Sequence, residues 1–158
     1  MNRIKILFVE DDLPPDSADD MLWTLLINEG YDVTPDKTGA EAWESLQSTK
    51  YDLILLDIML PPDHGEGIPV LDGVQRLDMG IHLLKELRDG KFEPGGTSRD
   101  VPAVVVSAVP GVDRWNKLGK LVGNDQWCLK KPVSPYDVVE AVKKALGKGN
   151  SDGEAEHD

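Results

Sequence analysis

The sequence contains a single cysteine and few basic side chains, and both shortages exclude classes of protein. Because Cys128 has no second cysteine to pair with, an intramolecular disulfide is impossible, and we expect a small core side chain in a reducing cytoplasm. The 17 basic side chains are outnumbered by 29 acidic ones, which gives a formal charge of -12. Such a charge repels nucleic acid and anionic membranes, so we expect direct binding to neither.

The chain also lacks long apolar runs and glycine-rich phosphate loops. Nowhere do about 18 consecutive apolar residues occur, and no apolar leader precedes the first predicted strand, so neither a membrane span nor secretion is expected. No loop ends in Gly-Lys-Ser or Gly-Lys-Thr, which argues against a Walker-type nucleotide site. At 158 residues the chain is long enough for one well-cored domain and too short for two ordinary ones.

Apolar strands and amphipathic helices alternate along the chain. The predicted strands cover residues 4–9, 31–34, 53–56, 101–106 and 127–130. Predicted helices begin near Met21, after the capping-box pair Thr38 and Glu41, and near Ile81, and two more cover residues 112–122 and 136–146. Strand-helix units in strict alternation predict an α/β fold with a doubly wound parallel sheet.

Carboxylates follow two of the predicted strands. Glu10, Asp11 and Asp12 come directly after the first strand, and Asp57 comes directly after the third. Because ligands of such sheets bind beyond the carboxyl ends of the strands, we expect these side chains to converge there. Like charges are costly to hold together unless a cation or shared protons compensate them. The pattern therefore predicts a divalent-metal site with a carboxylate at its centre.

The residues that follow the last two strands complete a family pattern. Ser107-Ala108 comes after the fourth strand and Lys131-Pro132 after the fifth. With Ile-Leu-Phe-Val-Glu-Asp-Asp, Asp-Leu-Ile-Leu-Leu-Asp-Ile-Met-Leu-Pro, Val-Val-Val-Ser-Ala and Lys-Pro in this order, the sequence resembles the receiver domain of two-component response regulators over residues 3–146. The resemblance implies a flavodoxin-like receiver fold, with five parallel strands in the order 2-1-3-4-5 and five flanking helices. We expect residues 1–146 to form this domain and the acidic segment 147–158 to be a disordered tail.

The resemblance implies an acceptor and a metal site. Asp57 would be the nucleophile and phosphoacceptor. Glu10 and Asp11 would hold Mg²⁺ directly or through water, together with Asp57 and the backbone carbonyl of Met59. Asp12 is left outside the site, as a charge at a solvated turn or a helix terminus. A carboxylate that attacks phosphorus needs such a metal and a cationic side chain, because the two approaching anions repel each other.

The same resemblance assigns the cationic and switching residues. Lys131 would pair with the acceptor carboxylate and later with the phosphoryl group, and Pro132 would be the family's cis-proline, whose isomer aims that lysine inward. Ser107 would donate a hydrogen bond to a phosphoryl oxygen and shift inward on modification. The sequence leaves two alternatives for the family's aromatic switch residue: either Trp127 serves as that aromatic, or Cys128 occupies the position and the aromatic switch is absent.

These expectations add up to a phosphoacceptor regulator. We expect a stand-alone receiver that takes a phosphoryl group from a sensor histidine kinase or a histidine phosphotransfer protein and passes the message by protein binding. The expected contact surface is the face of the fourth helix, fifth strand and fifth helix, with no nucleic acid and no membrane as partner. Beyond Mg²⁺-dependent self-phosphorylation and self-dephosphorylation no enzyme activity is expected. Apolar Met59 and Val109 predict slow self-dephosphorylation, because neither can orient a water by hydrogen bonding.

One departure from the family pattern leaves a second function open. Residues 62–77 form an insertion after the third strand, where the family has only a few residues. The segment includes His64 and could be a partner-docking flap, a lid that restricts phosphodonors, or a tolerated insertion. If it blocks the acceptor, the chain would be a receiver-like interaction scaffold that is never phosphorylated.

Two other classes fit the sequence less well. A hydrolase that uses an aspartate nucleophile, of the haloacid-dehalogenase type, needs a second acid two residues after the nucleophile, and Met59 stands there. A flavodoxin-like FMN binder needs a phosphate loop rich in Ser, Thr and Gly after the first strand. The acidic run at Glu10 would repel that phosphate.

Overall fold

The described strands form one parallel sheet in the order β2-β1-β3-β4-β5. The computed structural model of the protein describes residues 3–12, 20–60, 74–108 and 110–148. Within these ranges the strands are β1 (Lys5–Val9), β2 (Asp32–Asp36), β3 (Leu53–Leu56), β4 (Ala103–Ser107) and β5 (Cys128–Lys130). The predicted strand order and fold class are confirmed.

Continuous apolar sequence makes β3 and β4 the centre of the sheet. All residues of both strands are buried, as expected for parallel strands that are covered on both faces. The register pairs Val9 with Leu56, Leu56 with Val105, and Ser107 with Lys130. The carboxyl ends of β1, β3, β4 and β5 therefore lie side by side, and the residues that follow them meet at one edge.

Five helices cover the sheet in the described ranges. They are α1 (Met21–Asn28), α2 (Gly39–Ser48), α3 (Met79–Arg88), α4 (Val112–Val122) and α5 (Pro135–Lys148). Short 3-10 turns at Arg76–Asp78 and Asp125–Trp127 precede α3 and β5. None of these helices combines the length and the apolar character that a bilayer crossing requires.

The cap predicted for α2 is present with one difference. Thr38 Oγ1 accepts a hydrogen bond from the N–H of Glu41 at 3.0 Å, as a capping box requires. The Glu41 carboxylate reaches one residue further back than expected and accepts from the N–H of Lys37 at 2.7 Å. The first bond satisfies a backbone donor in the first turn of α2 and the second satisfies one just ahead of it, so the local signal in the sequence placed the helix start correctly.

Gly80 lets α3 approach the strand end that carries the candidate acceptor. Its N–H donates to the carbonyl of Ile58 at 2.9 Å. A Cβ at this position would lie 2.5 Å from Ile58 Cα and 2.9 Å from the carbonyl oxygen of Asp57. Only glycine permits this contact without a backbone shift, and the contact fixes the segment that follows β3.

Several predicted boundaries differ from the observed ones. β5 begins at Cys128, because Trp127 belongs to the preceding 3-10 turn and is buried in the core. The helix α5 extends through Lys148, two residues into the segment that was expected to be a tail. His64, Val109 and the rest of the predicted tail lie outside the described residues, as does the insertion up to residue 73.

Candidate functional site

Asp57 sits at the centre of the carboxyl edge. Its N–H donates to the carbonyl of Val9 at 2.9 Å, and the residue is only 6% exposed. The side-chain oxygen Oδ1 accepts from Ser107 Oγ at 2.7 Å and from the N–H of Met59 at 3.0 Å. The other oxygen, Oδ2, lies 3.2 Å from Lys131 Nζ. Hydrogen bonds from three directions therefore fix the orientation of this carboxylate.

Lys131 joins two carboxylates of the site. Its Nζ lies 2.9 Å from Glu10 Oε1 as well as 3.2 Å from Asp57 Oδ2. Burial alone would lower the pKa of Lys131, but the hydrogen bond and charge of Glu10 and the charge of Asp57 outweigh burial, so the pKa is raised. The lysine is therefore a firmly held cation. The Lys131–Pro132 peptide bond is cis, as the family resemblance implies.

Glu10 carries charge that the chain compensates only in part. Burial raises its pKa to about 7, the hydrogen bond from Lys131 opposes that rise, and the negative charge of Asp57 adds to it. Burial outweighs the short contact with Lys131, even though such a contact favours the ionised form. An additional cation near Glu10 would relieve this cost, which is the electrostatic condition that favours a metal ion.

The acidic trio after β1 offers oxygen ligands for that cation. The carboxylate groups of Glu10, Asp11 and Asp12 each offer an oxygen within 4.8 Å of the others. Clustered carboxylate oxygens are the ligand type that Mg²⁺ takes in proteins, so the donor set fits this ion. Asp12 joins the trio although the sequence interpretation left it out, and Asp57 is not part of it among the described residues.

The structure brings the predicted site residues together without testing their roles. Asp57 contacts Lys131 and Ser107, Lys131 also contacts Glu10, and Asp11 lies beside Glu10 in the trio. Met59 contacts the acceptor through its N–H. A pocket of about 550 Å³ adjoins the site and includes Glu10, Asp57 and Lys131 in its lining.

Besides Asp12, the sequence interpretation missed Arg76. Its guanidinium forms an ion pair with Asp11 Oδ2. Arg76 lies near the end of the predicted insertion, and the sequence gives no signal for how a segment of that length returns to the sheet. Only its position just ahead of α3 could have suggested that it lies close to the acidic trio.

The tryptophan that lies near Ser107 is Trp115 and not Trp127. Trp127 precedes β5 and therefore lies at the amino end of that strand, opposite the edge that holds Asp57. Trp115 on α4 shares with Ser107 and Lys130 the lining of a pocket of about 300 Å³. Lys130 Nζ lies 5.4 Å from the centroid of the Trp115 ring, a cation-π distance.

Curated relatives of the chain are transcriptional regulators. The CpxR homolog of Haemophilus influenzae is 31% identical over 147 residues, which cover 93% of this chain and 52% of that protein. The alkaline phosphatase synthesis transcriptional regulatory protein PhoP of Bacillus subtilis is 33% identical over 147 residues, 92% of this chain and 49% of the relative. The chain thus spans about half the length of the curated relatives it matches. No family model matches it.

Solved structures of similar fold are receiver domains. A CheY-like receiver domain protein from Methanospirillum hungatei has a TM-score of 0.63 and 25% identity, covering 92% of this chain and 94% of its own. The chemotaxis response regulator CheY4 of Vibrio cholerae has a TM-score of 0.62 at 20% identity, covering 91% of this chain and 99% of its own, and shows the fold alone. Relatives and neighbours together confirm the resemblance stated from the sequence motifs.

Proposed function

We propose that this chain, which belongs to the receiver domains of two-component response regulators, accepts a phosphoryl group on Asp57 and thereby changes its affinity for a protein partner. One observation carries the proposal. The Asp57 carboxylate is held between the Ser107 hydroxyl and the Lys131 ammonium, at 2.7 Å and 3.2 Å, beside an acidic trio suited to Mg²⁺. Acceptor, cation and hydroxyl donor are thus available in one place.

The reaction needs no further group from the chain. A carboxylate oxygen of Asp57 forms a bond to phosphorus while the phosphorus-nitrogen bond of a phosphohistidine donor breaks. The imidazole nitrogen keeps the electron pair and takes up a proton from solvent. Lys131 offsets the charge of the acceptor and then that of the phosphoryl oxygens. Its contacts with Glu10 and Asp57 hold it at the point where this charge develops.

Glu10, Asp11, the carbonyl of Met59 and Asp57 would hold the metal, with Asp12 within reach. When bound, Mg²⁺ supplies positive charge against the oxygens of the transferring group. The raised pKa of Glu10 supports this assignment, because it identifies a carboxylate whose charge is poorly compensated by the chain itself. The N–H of Met59 keeps Asp57 in the orientation that presents it to the same space.

Modification would be read out through Ser107 and α4. The hydroxyl of Ser107 donates to the unmodified Asp57, and an added phosphoryl group brings about -1.5 to -2 charges and new acceptor oxygens at neutral pH. A shift of Ser107 toward these oxygens would move the segment that leads into α4. Val112 on α4 and Tyr136 on α5 are 73% and 62% exposed, which supports a protein-binding face formed by α4, β5 and α5.

The identity of the partners stays a prediction. A sensor histidine kinase or phosphotransfer protein is the expected donor. The expectation of a stand-alone receiver without contact to nucleic acid is not confirmed, because relatives about twice as long are named as transcriptional or DNA-binding regulators. The domain assignment to residues 1–146 is likewise proposed, with α5 reaching Lys148.

Intact-mass spectrometry after treatment with acetyl phosphate and Mg²⁺ tests the proposal. The wild type should gain the mass of one phosphoryl group, and Asp57→Asn should gain none. Asp52→Asn is a matched control, because Asp52 is an exposed aspartate five residues earlier whose carboxylate accepts from the N–H of Lys5. Modification of Asp57→Asn would contradict the assignment. A wild type that stays unmodified would favour the interaction scaffold.

A further inference from the structure

Asp11 is paired with a cation that the family pattern does not predict. The Nη2 atom of Arg76 contacts Asp11 Oδ2 in an ion pair. Arg76 begins the 3-10 turn Arg76–Asp78, which leads directly into α3. The insertion therefore returns to the sheet edge with a positive charge placed on one of the carboxylates assigned to Mg²⁺.

The turn that carries Arg76 is held in place by α4. Asp78, at the other end of the turn, accepts from Arg114 Nε at 2.9 Å. Its N–H donates to the carbonyl of Gln75 at 2.9 Å, which closes the turn. Because the turn is fixed to α3 by the chain and to α4 by an ion pair, the guanidinium of Arg76 stays within reach of Asp11.

Two cationic side chains are divided among the carboxylates of the site. Lys131 lies against Glu10 and Asp57, whereas Arg76 lies against Asp11. A metal ion at the trio needs the charge and an oxygen of Asp11. A guanidinium has no lone pair to offer a metal, and at close range it repels a divalent cation. Binding of Arg76 and binding of Mg²⁺ at Asp11 therefore oppose each other.

We propose that Arg76 competes with Mg²⁺ for Asp11 and so sets the metal affinity of the site. The inference rests on the metal site of the proposed function and adds to it a residue from the insertion. Arg76 acts through Asp11, so it is a positioning residue and takes no part in the bond changes at phosphorus. Its function is to compensate Asp11 while the metal is absent and to leave it when the metal binds.

The exposure of the pair sets the size of the effect. The Arg76 side chain is 50% exposed and that of Asp11 17%, so the pair is screened by solvent. Exposed ion pairs change an equilibrium constant by a factor of roughly two to five. Arg76 therefore lowers the affinity for Mg²⁺ by about that factor and remains easy to displace.

Titration with Mn²⁺, with the free ion measured by electron paramagnetic resonance, tests the competition without any activity assay. Mn²⁺ shares the preference of Mg²⁺ for carboxylate ligands, and Mg²⁺ added afterwards should displace it. Arg76→Ala and Arg76→Gln should both bind Mn²⁺ about two to five times more tightly than the wild type. Arg76→Lys keeps the charge and should stay close to the wild type.

Arg99→Ala is the matched control. The Arg99 side chain is 53% exposed and its guanidinium pairs with Glu93 at 3.2 Å. The variant therefore loses the same charge from a similar surface ion pair, which lies ahead of β4 at the opposite edge of the sheet. Its Mn²⁺ affinity should equal that of the wild type. Equal affinities in Arg76→Ala and Arg99→Ala, or weaker binding in Arg76→Ala, would overturn the competition alone. Absence of saturable binding in every variant would also overturn the proposed metal site.

Discussion

Replacing Glu10 by glutamine should stabilise the metal-free protein and weaken the stabilisation that Mg²⁺ gives it. Glu10 has a pKa of about 7 in the fold in place of 4.5, so the ionised carboxylate costs the fold up to about 3 kcal/mol above pH 7. Because the group is half-buried and partly screened, we expect about 2 kcal/mol. A glutamine keeps an oxygen for the hydrogen bond from Lys131 and never ionises.

The pH dependence follows from the sign of that shift. A carboxyl whose pKa is raised on folding favours the folded state fully below pH 4.5, and this advantage is lost as the pH rises to about 7. The gain in Glu10→Gln should therefore be large at pH 8 and below about 1 kcal/mol at pH 5. Glu44→Gln, at an exposed position of α2, should leave the free energy of unfolding nearly unchanged at both pH 8 and pH 5.

Urea unfolding of both variants and the wild type, in buffer with a chelator, measures these differences. Mg²⁺ at about ten times its dissociation constant should then stabilise the wild type by about 1.4 kcal/mol and Glu10→Gln by clearly less. The reasoning is refuted if Glu10→Gln is less stable than the wild type at pH 8 without metal. It is also refuted if the gain at pH 5 equals the gain at pH 8.

Three further outcomes follow from the geometry. Gly80→Ala places a Cβ 2.9 Å from the carbonyl oxygen of Asp57 and should cost about 1–3 kcal/mol in urea unfolding, whereas Gly95→Ala, with no heavy atom within 4 Å, should cost far less. Ser107→Ala should still be phosphorylated in an intact-mass assay but should lose most of the amide chemical-shift changes that beryllofluoride binding causes in α4. If these changes are as large in the variant as in the wild type, Ser107 does not transmit the modification to α4. Because Met59 cannot orient a water molecule, the phosphorylated wild type should have a half-life much longer than seconds in the presence of Mg²⁺. A half-life of only seconds would contradict the prediction of slow self-dephosphorylation.

The sheet could be predicted from the sequence because its central strands consist almost entirely of apolar residues. Residues 53–56 are apolar without interruption and are buried on both faces, so the strand that delivers Asp57 could be placed within a residue. The edge strand was harder to place. Trp127 is as apolar as the strand that follows it, but it turns into the core from a 3-10 turn, and composition alone does not separate these two fates.

The site was predictable where it depends on strand ends and not where it depends on the insertion. Asp57 and Lys131 follow strands directly and Ser107 is the last residue of β4, so a parallel sheet brings the three together regardless of the loops. Arg76 reaches Asp11 through a segment whose path no local pattern determines. The electrostatic state of Glu10 was also hidden, since it arises from burial that only the folded chain creates.

Borohydride reduction of the acetyl-phosphate-treated protein, followed by peptide mass spectrometry, tests most directly whether the carboxylate at position 57 accepts phosphorus. Reduction converts an acyl-phosphorylated aspartate to homoserine and so marks the modified position permanently. The account predicts homoserine at position 57 alone, and only when Mg²⁺ is present during the treatment. Homoserine at another aspartate, or at position 57 to the same extent with a chelator in place of the metal, would contradict it.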